Sequence, residues 1–228
     1  AGNSVMEHIM LGISPEPIGR IPFKTAFKEA QVLKAKDEGF NASKNASLYV
    51  FPLIGGFVGG DSVAAALFLG LDKEKGVTLA IDIGTNSEIM LSTPEGLLTT
   101  SAASGPAFEG GNIRAGMTAQ RGAIEDVTII GDDVTISSIG NVTPIGICGS
   151  GVVSAMAELF KSGVMDSTGR IKSGEEIPTN LSCRIKEGPS GNGFILFKGA
   201  KAEITISQDD VRAFQVAKAA IRAGMEVL

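Results

Sequence analysis

The sequence predicts an α/β protein, and three observations carry that expectation. An alanine-rich stretch of helical character, DSVAAALFLGL, is followed at once by a strand-rich block, VTLAIDI, SEIMLS and LLTTSA. A second strand signal, VTPIGIC, runs through a glycine turn into GSGVVSAMAELFKSG, an amphipathic helix with Val152, Met156, Leu159 and Phe160 on one side. Across 228 residues, 43% are hydrophobic and 30 are glycine, a composition suited to a packed, turn-rich globule.

Each element has a local reason. GNSVMEHIML spaces Val5, Ile9 and Met10 for a helix from about Ser4 to Leu11, ended by Gly12, with Pro15, Pro17 and Pro22 forbidding regular continuation. The mixed-charge stretch KTAFKEAQVLKAKDEGF is expected to be a helix or a loosely ordered connector, and LYVFPL a buried strand. Beyond the glycine hinge IGGFVGG, Asp61 or Ser62 is placed to cap the next helix, which Gly70 ends. The three strands from Val77 read as an antiparallel meander with a PEG turn at 94 to 96. SGPAFEGGNIRAGM and IIGDD are loops around further strands, VTII and VTISSI. FILFKGAKAEITI reads as a hairpin, and a last helix opens at Ser207, Gln208, Asp209 and Asp210, where acids favour the positive end of the helix dipole. The expected organisation is an N-terminal α/β segment over residues 1–75, ending in a connecting helix at 61–71, and a second domain over 76–228.

Composition removes several function classes. The net charge is -5, with one Tyr, no Trp and no basic stripe, so no nucleic-acid partner is expected. The longest apolar stretches are broken by glycine or too short to span a bilayer, and no signal-peptide start precedes them. The expectation is a soluble, cytoplasmic protein with no membrane partner. Cys148 and Cys183 are too few for a four-thiolate cluster, and their flanks lack zinc-ligand spacing. His8, the only histidine, is expected to be structural or on the surface, and neither a Ser-His-Asp nor a Cys-His constellation can be assembled around it.

The chemistry-bearing candidates cluster at glycines. In LAIDIGTNSEIML a strand ends in Asp82, and Gly84, Thr85 and Asn86 follow; the tight turn lets backbone amides and the Thr hydroxyl face a phosphate. A hydrated magnesium ion needs only one or two carboxylates, so Asp82 suffices as a metal partner and as the candidate catalytic residue. The plain alternative is an Asp-Gly turn. In GICGSGVVSAMAELF, Gly149, Ser150 and Gly151 deliver free backbone N–H groups at a helix start, which suits a ribose or a phosphate; the alternative is a close helix–strand packing turn. SGPAFEGGNIRAGM sets Glu109 and Arg114 among glycines, either as a mobile ligand- or partner-touching loop or as a solvated ion pair. Glu88 stays open as an acid or base.

Together, DSVAAALFLGLD and the LAIDIGTNSEIML that follows it resemble the ATPase domain of actin and the heat-shock chaperones, where a connecting helix precedes the second phosphate loop. With GNSVMEHIMLGISPEPIGRIPF, FPLIGGFVGGDSVAAAL, SGPAFEGGNIRAGM, IGICGSGVVSAMAEL and ISQDDVRAFQVAKAAIRAG added, the chain resembles the C-terminal region of the reductive activators of corrinoid-dependent enzymes. The resemblance implies a ribonuclease H-like subdomain, with a mixed sheet flanked by helices and an inserted subdomain, over 76–228. It implies ATP and Mg2+ as cofactors, and a function in which ATP binding and hydrolysis drive an electron from a [2Fe-2S] domain onto a Co(II) corrinoid protein, giving Co(I). The first phosphate loop, the iron–sulfur domain and the distal adenosine loop of such proteins are expected outside this fragment, which by itself is expected to bind Mg-ATP weakly or not at all. Two other readings stand beside this one: a kinase or other ATPase of the superfamily, and a non-catalytic dimerisation or interaction fragment, for which a homodimer is one expected partner state.

Overall fold

The helix expected at the start runs from Ser4 to Met10 (α1), and its ends explain its length. Asn3 accepts the Met6 amide at 2.9 Å, while Gly12 adopts φ +66° so that the amides of Gly12 and Ile13 turn back to the carbonyls of Ile9 and His8. The computed structural model describes residues 1–73, 75–200 and 203–228, and two compact units divide them. The first unit comprises Ala1–Asp82, Ser87–Ala102 and Gly224–Leu228; the second comprises Ile83–Asn86 and Ala103–Ala223.

In the first unit His8 is buried and structural. Its Nδ1 donates to the Ser4 carbonyl at 2.7 Å, its Nε2 accepts from the Ala26 amide at 3.0 Å, and its ring stacks on Phe27. KTAFKEAQVLKAKDEGF forms neither a helix nor a connector alone: Gln31–Lys34 is a strand (β1), paired antiparallel with Ser47–Val50 (β2). Along β1 the exposed positions, Val32 and Lys34, alternate with the half-buried Gln31 and Leu33, as for a ladder with one open face. For the same reason LYVFPL is less buried than expected, with Tyr49 52% exposed and Val50 buried.

The alanine-rich helix spans Gly60–Leu69 (α2), starting one residue ahead of Asp61 with Gly59 as its N-cap and no side-chain cap. Asp61 instead accepts the Ser62 amide at 2.8 Å. Glycine rather than a capping side chain stands at the entry because a Cβ at Gly59 would lie 2.7 Å from Asn3 Cα and Ser4 N. Gly70 ends α2 as expected, at φ +68°. The meander is β3 (Thr78–Ile83), β4 (Ser87–Thr93) and β5 (Gly96–Ala102), in the order β3-β4-β5. β4 and β5 pair antiparallel from Ser87↔Ala102 to Thr93↔Gly96, leaving Pro94 and Glu95 as the turn. Met90 on the central strand packs with Ala66 and Leu71.

The second unit holds two three-stranded sheets. β6 (Ala123–Ile130) pairs antiparallel with β7 (Asp133–Ser138) and parallel with β8 (Gly146–Ile147), so this sheet is mixed. β9 (Ile185–Gly188), β10 (Gly191–Lys198) and β11 (Glu203–Ile206) form the other, antiparallel throughout. Lys201 and Ala202, at the tip of the predicted hairpin, lie outside the described residues. Helix α3 (Gly149–Lys161) and helix α4 (Gln208–Val227), the latter as far as Ala223, complete the set. Val152, Ala155, Met156 and Leu159 of α3 join Ile124, Ile147, Phe194, Ile206 and Ala217 in one core. Phe160 departs from the expected face and is 55% exposed, because it falls beyond the edge of that stripe.

The opening of α4 is a reciprocal cap. Asp210 accepts the Ser207 amide at 2.8 Å and its hydroxyl at 2.7 Å, while the Asp210 amide returns to Ser207 Oγ at 3.2 Å. Among the described residues no helix is long and apolar enough to cross a membrane.

Candidate functional site

The loop Ile83–Asn86 carries β3 into β4, and both donors of its Thr85 are engaged. The Thr85 amide donates to Glu109 Oε1 at 2.9 Å and the Thr85 hydroxyl to Glu109 Oε2 at 2.8 Å. Two donors of one residue thus converge on both oxygens of one carboxylate, a bidentate, charge-assisted arrangement. Gly84 leaves the room for this: a Cβ there would lie 3.2 Å from Glu109 Oε1 and 3.1 Å from the Asn86 carbonyl. Thr85, Asn86 and Glu109 are all exposed.

Glu109 reaches the loop from a short 3-10 turn, Pro106–Glu109, flanked by Gly105 at φ +76° and Gly110 at φ +80°. The Gly105 amide donates to the Thr85 carbonyl at 2.9 Å, fastening the start of the turn to the same residue. On its other side the Phe108 ring meets Phe214 of α4 edge to face at 5.2 Å.

The start of α3 meets this turn as well. A Cβ at Gly149 would overlap the Phe108 carbonyl oxygen, and one at Gly151 would overlap the Ile124 carbonyl oxygen of β6 and lie 2.8 Å from Ile147 Cγ1. Close packing of backbones therefore requires glycine at both positions whatever else they contact. Ser150 Oγ donates to the Glu125 carbonyl at 3.0 Å, and the N-cap, Cys148, makes no side-chain cap, so no side chain takes the first-turn amides from that position. Gly84, Thr85 and Gly149 thus meet this turn, whereas Ser150 and Gly151 pack against β6.

Asp82 precedes this group in sequence and belongs to the first unit. Its carboxylate is exposed at the end of β3 and no described residue pairs with it. Glu88, also in the first unit, is half-buried on β4 and accepts from Ser101 Oγ at 3.2 Å. Burial pushes its carboxyl above the ordinary range, and the charges of Asp61 and Asp82 push the same way. Among the described residues no three His, Cys, Asp or Glu side chains gather as a metal site. The donor set at Asp82 is thus a lone free carboxylate, which matches a cation that keeps most of its waters and no cation that asks for three protein ligands.

The Glu109 clamp is what sequence reasoning missed. Glu109 was expected in a mobile loop or an ion pair with Arg114, yet among the described ion pairs there is none between them; the Arg114 amide donates instead to Asp210 Oδ1 at 2.7 Å. The flanking glycines were the available signal, and they indicate a turn without indicating its partner.

Comparison with known proteins bears on the whole arrangement. Residues 76–228 match the model of the C-terminal domain of RACo, the ASKHA domain, and residues 1–74 match that of the RACo middle region. The chain is 38% identical over 230 residues to the corrinoid activation enzyme RamQ of Eubacterium limosum, covering 98% of this chain and 38% of that protein. It is 31% identical over 173 residues to the [Co(II) methylated amine-specific corrinoid protein] reductase of Methanosarcina barkeri, covering 66% of this chain and 32% of that protein. Among solved structures, a reductive activator for corrinoid, iron-sulfur protein superposes with a TM-score of 0.83 at 35% identity, over 99% of this chain and 36% of that one. The fold is therefore ASKHA-like, with mixed α/β content, and the chain spans between about a third and two fifths of the length of these relatives.

Proposed function

This chain belongs to the family of RACo corrinoid activators, and from that membership we propose that it is the ATPase portion of a protein that reduces a Co(II) corrinoid partner to Co(I). ATP binding and hydrolysis would be coupled to delivery of one electron from a [2Fe-2S] domain. Cys148 is buried and Cys183 exposed, and two thiols cannot hold such a cluster, so the electron source lies outside these residues. Relatives named for corrinoid activation and corrinoid protein reduction support the partner class.

The observation that carries the nucleotide reading is the convergence of the Thr85 amide and hydroxyl on a single anionic group at 2.9 and 2.8 Å. A strand end that presents both donors to one anion is built for phosphate oxygens. In this reading Gly84, Thr85 and Asn86 hold a phosphate, and the first-turn amides of Gly149, Ser150 and Gly151 face the ribose or another phosphate. Asp82 supplies the protein ligand of a hydrated magnesium ion, whose charge offsets that of the phosphates. The protein's own task is to hold these groups in place.

The test is Asp82→Ala in the intact protein, followed by cobalt spectroscopy of a corrinoid partner. Loss of ATP-dependent Co(I) formation with the fold retained is expected. Unchanged reduction removes Asp82 from the metal role.

A further inference from the structure

The phosphate reading leaves Glu109 without a task, although its carboxylate occupies the donors that the reading assigns to the nucleotide. Resting on that reading, we propose that Glu109 is an internal stand-in for a phosphate: it holds the Thr85 donors in the nucleotide-free protein and is displaced when a nucleoside triphosphate enters. Carboxylate and phosphoryl oxygens are both anionic acceptors that take the same N–H and O–H donors. The two cannot share the site, since Thr85 presents one amide and one hydroxyl and both are taken by Glu109. A carboxylate and a phosphate brought to the same donors also repel as like charges.

The surroundings suit displacement rather than permanent attachment. Glu109 and Thr85 are exposed, so the released carboxylate returns to water without the penalty of leaving a buried charge unpaired. Gly105 and Gly110, both at positive φ, bracket the turn, and Gly105 at φ +76°, ψ 172° sits in a region that only glycine readily occupies. A swing about these two residues moves Glu109 away from the loop without breaking a strand. The swing also shifts Phe108, whose carbonyl lies against Gly149 and whose ring packs on Phe214. Occupancy of the phosphate loop is thereby felt at the start of α3 and on α4.

The test compares the intact wild-type protein with Glu109→Gln and Glu109→Ala by calorimetric titration with Mg-ATP. Both variants remove the competing charge, so each is expected to bind with a Kd about five- to tenfold lower than the wild type, as for loss of one competing charged hydrogen-bonded pair. Wild-type binding with equal or weaker binding by the variants overturns the proposal and leaves the nucleotide reading standing. No binding by any of the three overturns both. A measurement free of variants runs alongside, in case one fails to fold: amide hydrogen exchange in residues 105–111 of the wild type should quicken when Mg-ATP is added, and slowing or no change there counts against displacement.

Discussion

Glu7 shows how a single side chain sets a pH dependence in this fold. Its Oε1 accepts the Gly2 amide at 3.1 Å, its Oε2 has no hydrogen-bond partner, and a Cβ at Gly60 would overlap Oε1, so the carboxyl is walled in by backbone. Burial pushes it above its usual value of 4.5, against the Gly2 hydrogen bond, and Asp61 adds to the rise. A carboxyl whose folded value exceeds its unfolded one stabilises the fold fully below the unfolded value, and that stabilisation is lost as pH rises through the folded value. Glu7→Gln is therefore expected to raise the urea midpoint at pH 8 relative to wild type and to leave it nearly unchanged at pH 4. A larger gain at pH 4 than at pH 8 would reverse the sign and refute the assignment. Half-buried Glu88 shifts in the same direction, so its substitution should follow the same trend.

At the scale of elements, a steep demand falls on the turn between β8 and α3. Gly149→Ala would press a methyl group into the Phe108 carbonyl, and backbone yields less readily than a side chain; a loss of about 2 kcal/mol or more is expected in chemical denaturation. Gly163→Ala, a position with φ +75° and open space, serves as the comparison and should cost only about 1 kcal/mol from its backbone conformation. A smaller loss at Gly149 than at Gly163 would show that the α3 start does not pack on the turn as described. These two glycines also mark what a sequence can disclose. The stop at Gly12, the PEG turn and the acidic start of α4 were legible because each rests on chemistry within a few residues. β1 was not, because its four residues become a strand only through β2, thirteen or more residues further along. The same distinction divides the site. Gly84 to Asn86 and Gly149 to Gly151 are local patterns, whereas the Thr85–Glu109 clamp joins residues 24 apart and depends on the fold to bring a turn beside a loop.

For the molecule as a whole, the question is whether these 228 residues hold enough of a nucleotide site to be stabilised by one. They contain a single Asp-x-Gly-Thr loop, at Asp82, whereas the superfamily they resemble closes its cleft with two. They also span only 36% of the solved relative and 38% of RamQ. A ligand that binds only the folded state at 100 times its Kd adds roughly 2.7 kcal/mol, which for a domain of this size corresponds to about 5 to 10 °C in Tm. The intact protein is expected to show a shift of that order with Mg-ATP in the transition of its ASKHA region. The 228-residue polypeptide under the same conditions is expected to move by less than about 1 °C, since one wall offers the phosphate only the Thr85 donors and those amides of α3 that the turn leaves open. An equal shift in both would mean that these 228 residues hold a sufficient site by themselves. In that event the second phosphate loop would have to be sought within residues 1–228, with the Glu88 carboxyl as the first group to substitute.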